Sequence, residues 1–181
     1  MDRRELIKTI AVLTGAAFVG GDLFLSGCRE QNKALFSQED IAFFDEVAET
    51  IIPRTDTPGA KDAEVGKFMV LYASDCYDIA QQQTLQQGIT QINNTAKKKF
   101  RRAFVQLTTA QKLSLLTDIQ EEARRQKARK DAPVHYFTLM KQLTLLGFFT
   151  SEAGATQVLR HLPVPGTYHG CVDYNGETAW G

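Results

Sequence analysis

Ser37-Gln38-Glu39-Asp40-Ile41-Ala42-Phe43-Phe44-Asp45-Glu46-Val47-Ala48-Glu49-Thr50-Ile51-Ile52-Pro53 carries the signal that decides the fold. Ser37 has the small polar side chain of a helix N-cap, and Asp40 stands three positions on, as in a capping box. Ile41, Phe44, Ala48 and Ile51 then recur at the 3.6-residue period of an amphipathic helix. Pro53 cannot continue it, because it lacks an N–H and its ring clashes with the preceding turn. Pro53-Arg54-Thr55-Asp56-Thr57-Pro58-Gly59-Ala60 therefore reads as a loop.

The same grammar repeats downstream. Val65, Phe68, Met69, Tyr72 and Cys76 share one face of a helix predicted from Asp62 to Ile79, which turns Cys76 inward or toward an interface. Leu85, Ile89, Ile92, Ala96, Phe100 and Phe104 mark a third helix, Gln81 to Val105, weakened by Gly88 and Asn93-Asn94. Thr108 with Gln111 is a second capping box and opens a helix to about Lys130. Pro133 suits the first turn of the next, which carries Tyr136, Phe137, Met140, Leu143 and Leu146 and stops at Gly147. A short last helix covers Ser151 to Arg160. No alternating strand pattern or internal repeat appears. The fold class is all-α, an irregular bundle of about five or six helices.

Both ends depart from this pattern. Beyond Leu162 the chain is punctuated by Pro163, Pro165, Gly166, Gly170 and Gly176, with Tyr168, Val172, Tyr174 and Trp180 between them: an extended apolar arm over 163–181. At the start, Arg3-Arg4-Glu5-Leu6-Ile7-Lys8 is a twin-arginine export pattern, and a glycine-diluted apolar run follows from Thr9 to Leu25. Leu25-Ser26-Gly27-Cys28 places small residues before a thiol, as a lipoprotein signal peptidase requires. The competing readings are a membrane-spanning anchor and a buried N-terminal helix, but for a span the run is short, rich in glycine and broken by Asp22. The chain divides into a signal at 1–27, a lipidated tether at 28–36, a helical domain at 37–162 and the arm. It is expected on the periplasmic side, held to a membrane by lipid on Cys28.

Composition narrows the function. Lysine plus arginine and aspartate plus glutamate number 21 each. That balance argues against nucleic acid, which selects an excess of cations. Two basic stretches, Lys97 to Arg102 and Arg124 to Lys130, lie in helical pattern and read as solvated faces, with a lipid headgroup or an acidic partner as the alternative. His135, His161 and His169 stand in no metal-binding spacing, and no glycine-rich phosphate loop or Cys-x-x-Cys occurs, so no catalytic, cofactor-binding or metal site is assigned. Phe43-Phe44 and Phe148-Phe149 each place one ring toward the core and the other outward. If Cys28 is acylated, Cys76 and Cys171 remain to pair with each other, pair with another chain or stay free. An accessory subunit, an enzyme built on Glu46, Glu49, Asp56, His135 and Glu152, and a free-standing envelope lipoprotein with a ligand-binding or scaffolding role remain distinct alternatives.

Glu49-Thr50-Ile51-Ile52-Pro53-Arg54-Thr55-Asp56-Thr57-Pro58-Gly59-Ala60 resembles the signature of the gluconate 2-dehydrogenase subunit 3 family. Phe148-Phe149-Thr150-Ser151-Glu152-Ala153-Gly154-Ala155 is similar to a second shared block, and Pro163 to Cys171 to its proline-rich end. The resemblance implies a non-catalytic partner of a large FAD-containing dehydrogenase of the glucose–methanol–choline type. That partner crosses the membrane on the small subunit's signal and passes electrons to a haem-bearing c-type cytochrome. In that frame Pro58, Gly59, Tyr168, Tyr174 and Trp180 are the partner-interface residues, and either Cys171, ahead of Cys76, bonds to the partner or the two cysteines bridge internally.

Overall fold

In the computed structural model, residues 35–129, 132–164, 166–167 and 170–180 are described. The signal with Arg3, Arg4 and Cys28, and Tyr168 and His169 in the arm, lie outside the described residues. Five α-helices are found among those described: α1 Gln38–Ile51, α2 Val65–Cys76, α3 Ile79–Phe100, α4 Thr109–Lys127 and α5 Tyr136–Phe149. A 3-10 turn at Phe104–Gln106 joins α3 to α4, and a π-helical turn at Gly154–Val158 follows α5. Phe36–Gly181 forms one compact unit; of the other, Met1–Leu35, only Leu35 is described.

α5 is the axis of the bundle. Its sequence is apolar on every side, with Lys141 its only charged residue, and such a helix is stable only when surrounded. It packs against α1, α2, α3 and α4. Met140, Leu143, Thr144 and Phe148 are almost wholly buried. Thr144 donates to the Met140 carbonyl at 2.8 Å, which removes the cost of burying its hydroxyl.

Local chemistry sets the helix ends. Ser37 accepts from Asp40 N while Asp40 accepts from Ser37 N at 2.8 Å, so α1 starts with a reciprocal capping box. Asp78 with Gln81 and Thr108 with Gln111 do the same for α3 and α4. The Gln82 amide nitrogen lies 3.0 Å from the Ala73 carbonyl and 3.1 Å from that of Tyr77, so α3 caps the open carbonyls ending α2.

Several sequence expectations shift here. α2 is shorter than predicted, because Ala60–Glu64 forms a turn and Glu64 takes a left-handed conformation (φ 50°) as its N-cap. α3 runs unbroken through its weak residues. Gly88 is a contact glycine, since a Cβ there would come within 2.7 Å of Tyr136 and Met140 on α5. Asn93 accepts from Phe104 N at 3.1 Å, which caps the 3-10 turn. α5 begins at Tyr136 rather than at Pro133, with His135 as N-cap. Gly147 is no stop either: it lies within α5, and a Cβ there would meet the Phe68 ring at 2.5 Å.

Phe43 and Phe44 are both buried, contrary to the prediction that one faces out. The reason is a third aromatic far along the chain. Phe104 packs on Phe43 (centroids 5.4 Å apart), and Phe36 covers Phe44 at 5.8 Å. Phe148 and Phe149 do divide as predicted, one buried and one exposed. Cys76 does not turn inward: it is exposed at the last residue of α2, which leaves the expected alternative of an interface open to it.

Candidate partner-docking surface

Two segments without regular structure leave the bundle, and they are built in opposite ways. The first is the loop after α1. Glu49, on the last turn of α1, accepts from Arg54 N at 3.0 Å with one carboxylate oxygen and from Lys61 N at 2.9 Å with the other. One side chain thus grips both ends of the loop, through charge-assisted bonds stronger than neutral ones. Asp62 accepts from Gly59 N at 2.8 Å and pairs with Arg54 at 3.3 Å. Gly59 is buried against this arrangement: a Cβ would fall 2.6 Å from Arg54 N and 2.7 Å from the Glu49 carboxylate. Pro58 beside it is half-buried.

One turn earlier on α1, Glu46 bridges Lys61 at 2.5 Å and Lys112 of α4 at 2.7 Å. Burial alone would raise the Glu46 pKa, but hydrogen bonds from both lysines outweigh it and hold the carboxyl below its usual range. Asp45, also on α1, accepts from Gly66 N at 2.9 Å. Its pKa is raised, first by burial, against the lowering effect of that bond.

The second segment is the C-terminal one. The chain leaves the π-helical turn at Leu159 and returns to it at Trp180. Arg160 pins the return three times: its N–H donates to the Ala179 carbonyl at 2.8 Å, its guanidinium pairs with Glu177 at 2.8 Å, and the same group lies over the Trp180 ring at 4.1 Å. The predicted extended arm is therefore a loop closed at its neck. Between the pins, Val164, Val172 and Tyr174 are 79%, 73% and 82% exposed, and Trp180 is 56% exposed. Apolar side chains left in water along one segment make it a candidate surface for another molecule.

Of the sequence-derived interface residues, Tyr174 and Trp180 thus sit on the exposed loop, Pro58 and Gly59 in the gripped one. Cys171 is exposed on the C-terminal loop and Cys76 at the end of α2; both sulfurs are free, and no bond joins them. The groups considered for a hidden active site are not assembled. Glu46 and Glu49 are committed to lysines and backbone amides, while Asp56 and Glu152 are exposed on separate segments. His135 serves as a cap: its Nδ1 accepts from Phe137 N at 3.2 Å, and the ring stacks on Tyr136 at 4.2 Å. Burial lowers the His135 pKa and pushes the Tyr136 hydroxyl up to about 12. Among the described residues, no three histidine, cysteine, aspartate or glutamate side chains are grouped to hold a metal ion, and no helix is long and apolar enough to cross a membrane.

Sequence reasoning missed the Arg160 clasp and the Glu49 grip. The first joins residues about twenty apart with no local signature; the second was visible only as a glutamate near a proline.

The described residues thus form a small helical bundle that commits Glu46 and Glu49 to its own lysines and amides and leaves an apolar loop in solvent. The chain belongs to the gluconate 2-dehydrogenase subunit 3 family, whose model matches residues 38–166, from the start of α1 into the C-terminal loop. The family is named as a subunit of a dehydrogenase complex. Comparison with curated proteins and with solved structures returns no match.

Proposed function

We propose that this chain is the non-catalytic small subunit of a membrane-associated, FAD-dependent dehydrogenase of the glucose–methanol–choline type, oxidising a sugar, an alcohol or a sugar acid. It escorts the catalytic subunit through the twin-arginine route, stabilises it, and anchors it on the periplasmic side through lipid on Cys28. FAD belongs to the large partner, and haem to a c-type cytochrome that takes the electrons. The helical body at 37–162 presents the contacts, and the segment at 163–181 reaches onto the partner.

The observation that carries this reading is the pinned apolar loop on a member of a dehydrogenase-subunit family. Preorganisation favours binding, because the loop ends are already held before the partner arrives. A stable interface buries roughly 1,600 Å² in total, more than the loop tip alone offers, so the gripped loop around Pro58 joins it. Exposed Cys171 is free to form an inter-chain disulfide in an oxidising compartment. Lipoprotein acylation supplies more than one chain, enough for stable anchoring.

The test is to purify the tagged chain from detergent-solubilised membranes, record the flavin absorbance and assay dye reduction with sugars and polyols, beside the chain produced alone. The reading expects flavin and activity only in the co-purified material. Turnover by the isolated chain would contradict it. Arg3→Lys with Arg4→Lys is expected to leave both subunits in the cytoplasm, and Cys28→Ser to release the complex from the membrane.

A further inference from the structure

Two neighbouring cavities lie along the α4–α5 seam, one of about 200 Å³ closed on its far side by Thr50 and Ile51 of α1 and one of about 260 Å³ between α4 and α5 alone. Gln120, Phe137 and Lys141 line both, so Lys141 stands where the cavities meet. Lys141 is half-buried, and its ammonium is bonded to the neutral Gln120 amide at 2.9 Å. Among the described residues no carboxylate comes within ion-pair distance of it. A cation partly removed from water without a counter-ion favours an incoming anion.

The surroundings add to that preference. Arg124 and Lys127 line the second cavity, which has no acidic residue on its walls. Glu121, in the first cavity, is already paired with Arg124 at 2.9 Å. The floor is apolar: Leu116 in one cavity, Ala123 in the other and Phe137 in both. Leu113 and Leu145 stand exposed on the walls. A helix is about 10 Å across and too wide for a trough of this volume. A bare inorganic anion would leave the apolar walls wet.

We infer that the α4–α5 cleft binds an anionic amphiphile, one acyl chain carrying a negative head, with the head at Lys141 and Lys127 and the chain along Phe137. A free fatty acid has this chemistry outright, and an anionic phospholipid offers it by inserting one of its two chains. The site stands independently of the dehydrogenase reading and of acylation at Cys28.

The mature chain from residue 28, carrying Cys28→Ser to remove the acylation site, is floated with three vesicle types: phosphatidylcholine alone, phosphatidylcholine with phosphatidylglycerol, and phosphatidylcholine with palmitate. Binding is expected only when an anionic amphiphile is present, and the last two arms tell phospholipid from fatty acid. Lys141→Gln with Lys127→Gln is expected to lower binding roughly tenfold or more. Lys97→Gln with Lys98→Gln, on the basic end of α3, is expected to leave it unchanged. Should Lys141→Gln disturb folding, Arg124→Gln with Lys127→Gln reads the same site from exposed positions. Equal binding to all three vesicle types, or equal losses from the α3 and cleft variants, would overturn the inference.

Discussion

The loop after α1 and the loop after the π-helical turn are of unlike construction. In the first, one glutamate holds both ends, a second carboxylate holds a buried glycine, and the backbone is packed so closely that a methyl group has no room. In the second, a single arginine closes the neck and the residues beyond it face water. The first lies wholly within the stretch that the family model matches; Val172, Tyr174 and Trp180 lie beyond it. A loop satisfied by its own scaffold gains little from a new contact. A loop with apolar side chains in solvent gains about 25 cal/mol for each Å² it buries. Under the proposed function the first loop is a rigid part of the interface, and the second has the more to gain from a partner.

The sharpest way to break that division is through stability. Phe104→Ala removes the ring that buries Phe43 and is expected to cost about 3–5 kcal/mol in urea unfolding. Gly59→Ala forces a Cβ against Arg54 N and Glu49 and is expected to cost about 1–3 kcal/mol. Glu49→Ala, which releases both loop ends, is expected to cost about 1–2 kcal/mol. By contrast, Tyr174→Ser on the open loop is expected to stay within about 0.5 kcal/mol of the parent. A large loss from Tyr174→Ser, or none from Gly59→Ala, would erase the distinction.

Acid sharpens the comparison further, because the titrating contacts lie in the body. His135 has its pKa lowered from 6.5 by burial, so the unfolded chain takes up a proton that the folded chain resists. Its contribution is complete above 6.5 and declines as pH falls through that value toward the folded one. His135→Asn keeps an N-cap acceptor and is expected to flatten the urea midpoint across this window. Glu46 is held below 4.5 by its two lysines, so its contribution is present above that pH and lost beneath it. Arg160→Ala is another small effect. It is expected to change stability by less than about 1 kcal/mol, while limited proteolysis between 161 and 179 speeds up.

Much of the body was legible in the sequence because its determinants are local. Ser37 with Asp40 and Thr108 with Gln111 announce helix starts within four residues, and the 3.6-residue period of the apolar positions gives their faces. What escaped was set by distance. Gly88 and Gly147 look like breaks until the side chains facing them from Tyr136 and Phe68 are placed. Phe43 looks like the spare ring of a pair until Phe104 arrives to cover it. Cys76 shares an apolar face with Val65 and Met69, but it is the last residue of α2 and stands exposed. Of the docking surface, the apolar composition beyond Leu162 was readable; the closure by Arg160 was not, since nothing near Arg160 names Glu177 or Trp180 as its partners.

The most direct measurement is partner retention by a loop variant. The tagged chain and its Val172→Asp, Tyr174→Asp counterpart are purified from native membranes side by side, and the flavoprotein-to-bait ratio is read by mass spectrometry, with urea unfolding as the fold control. The account predicts that the parent retains a flavoprotein near one to one and that the variant, equally stable, loses it. An undiminished ratio in the variant, or a parent chain that purifies with no flavoprotein, would contradict it.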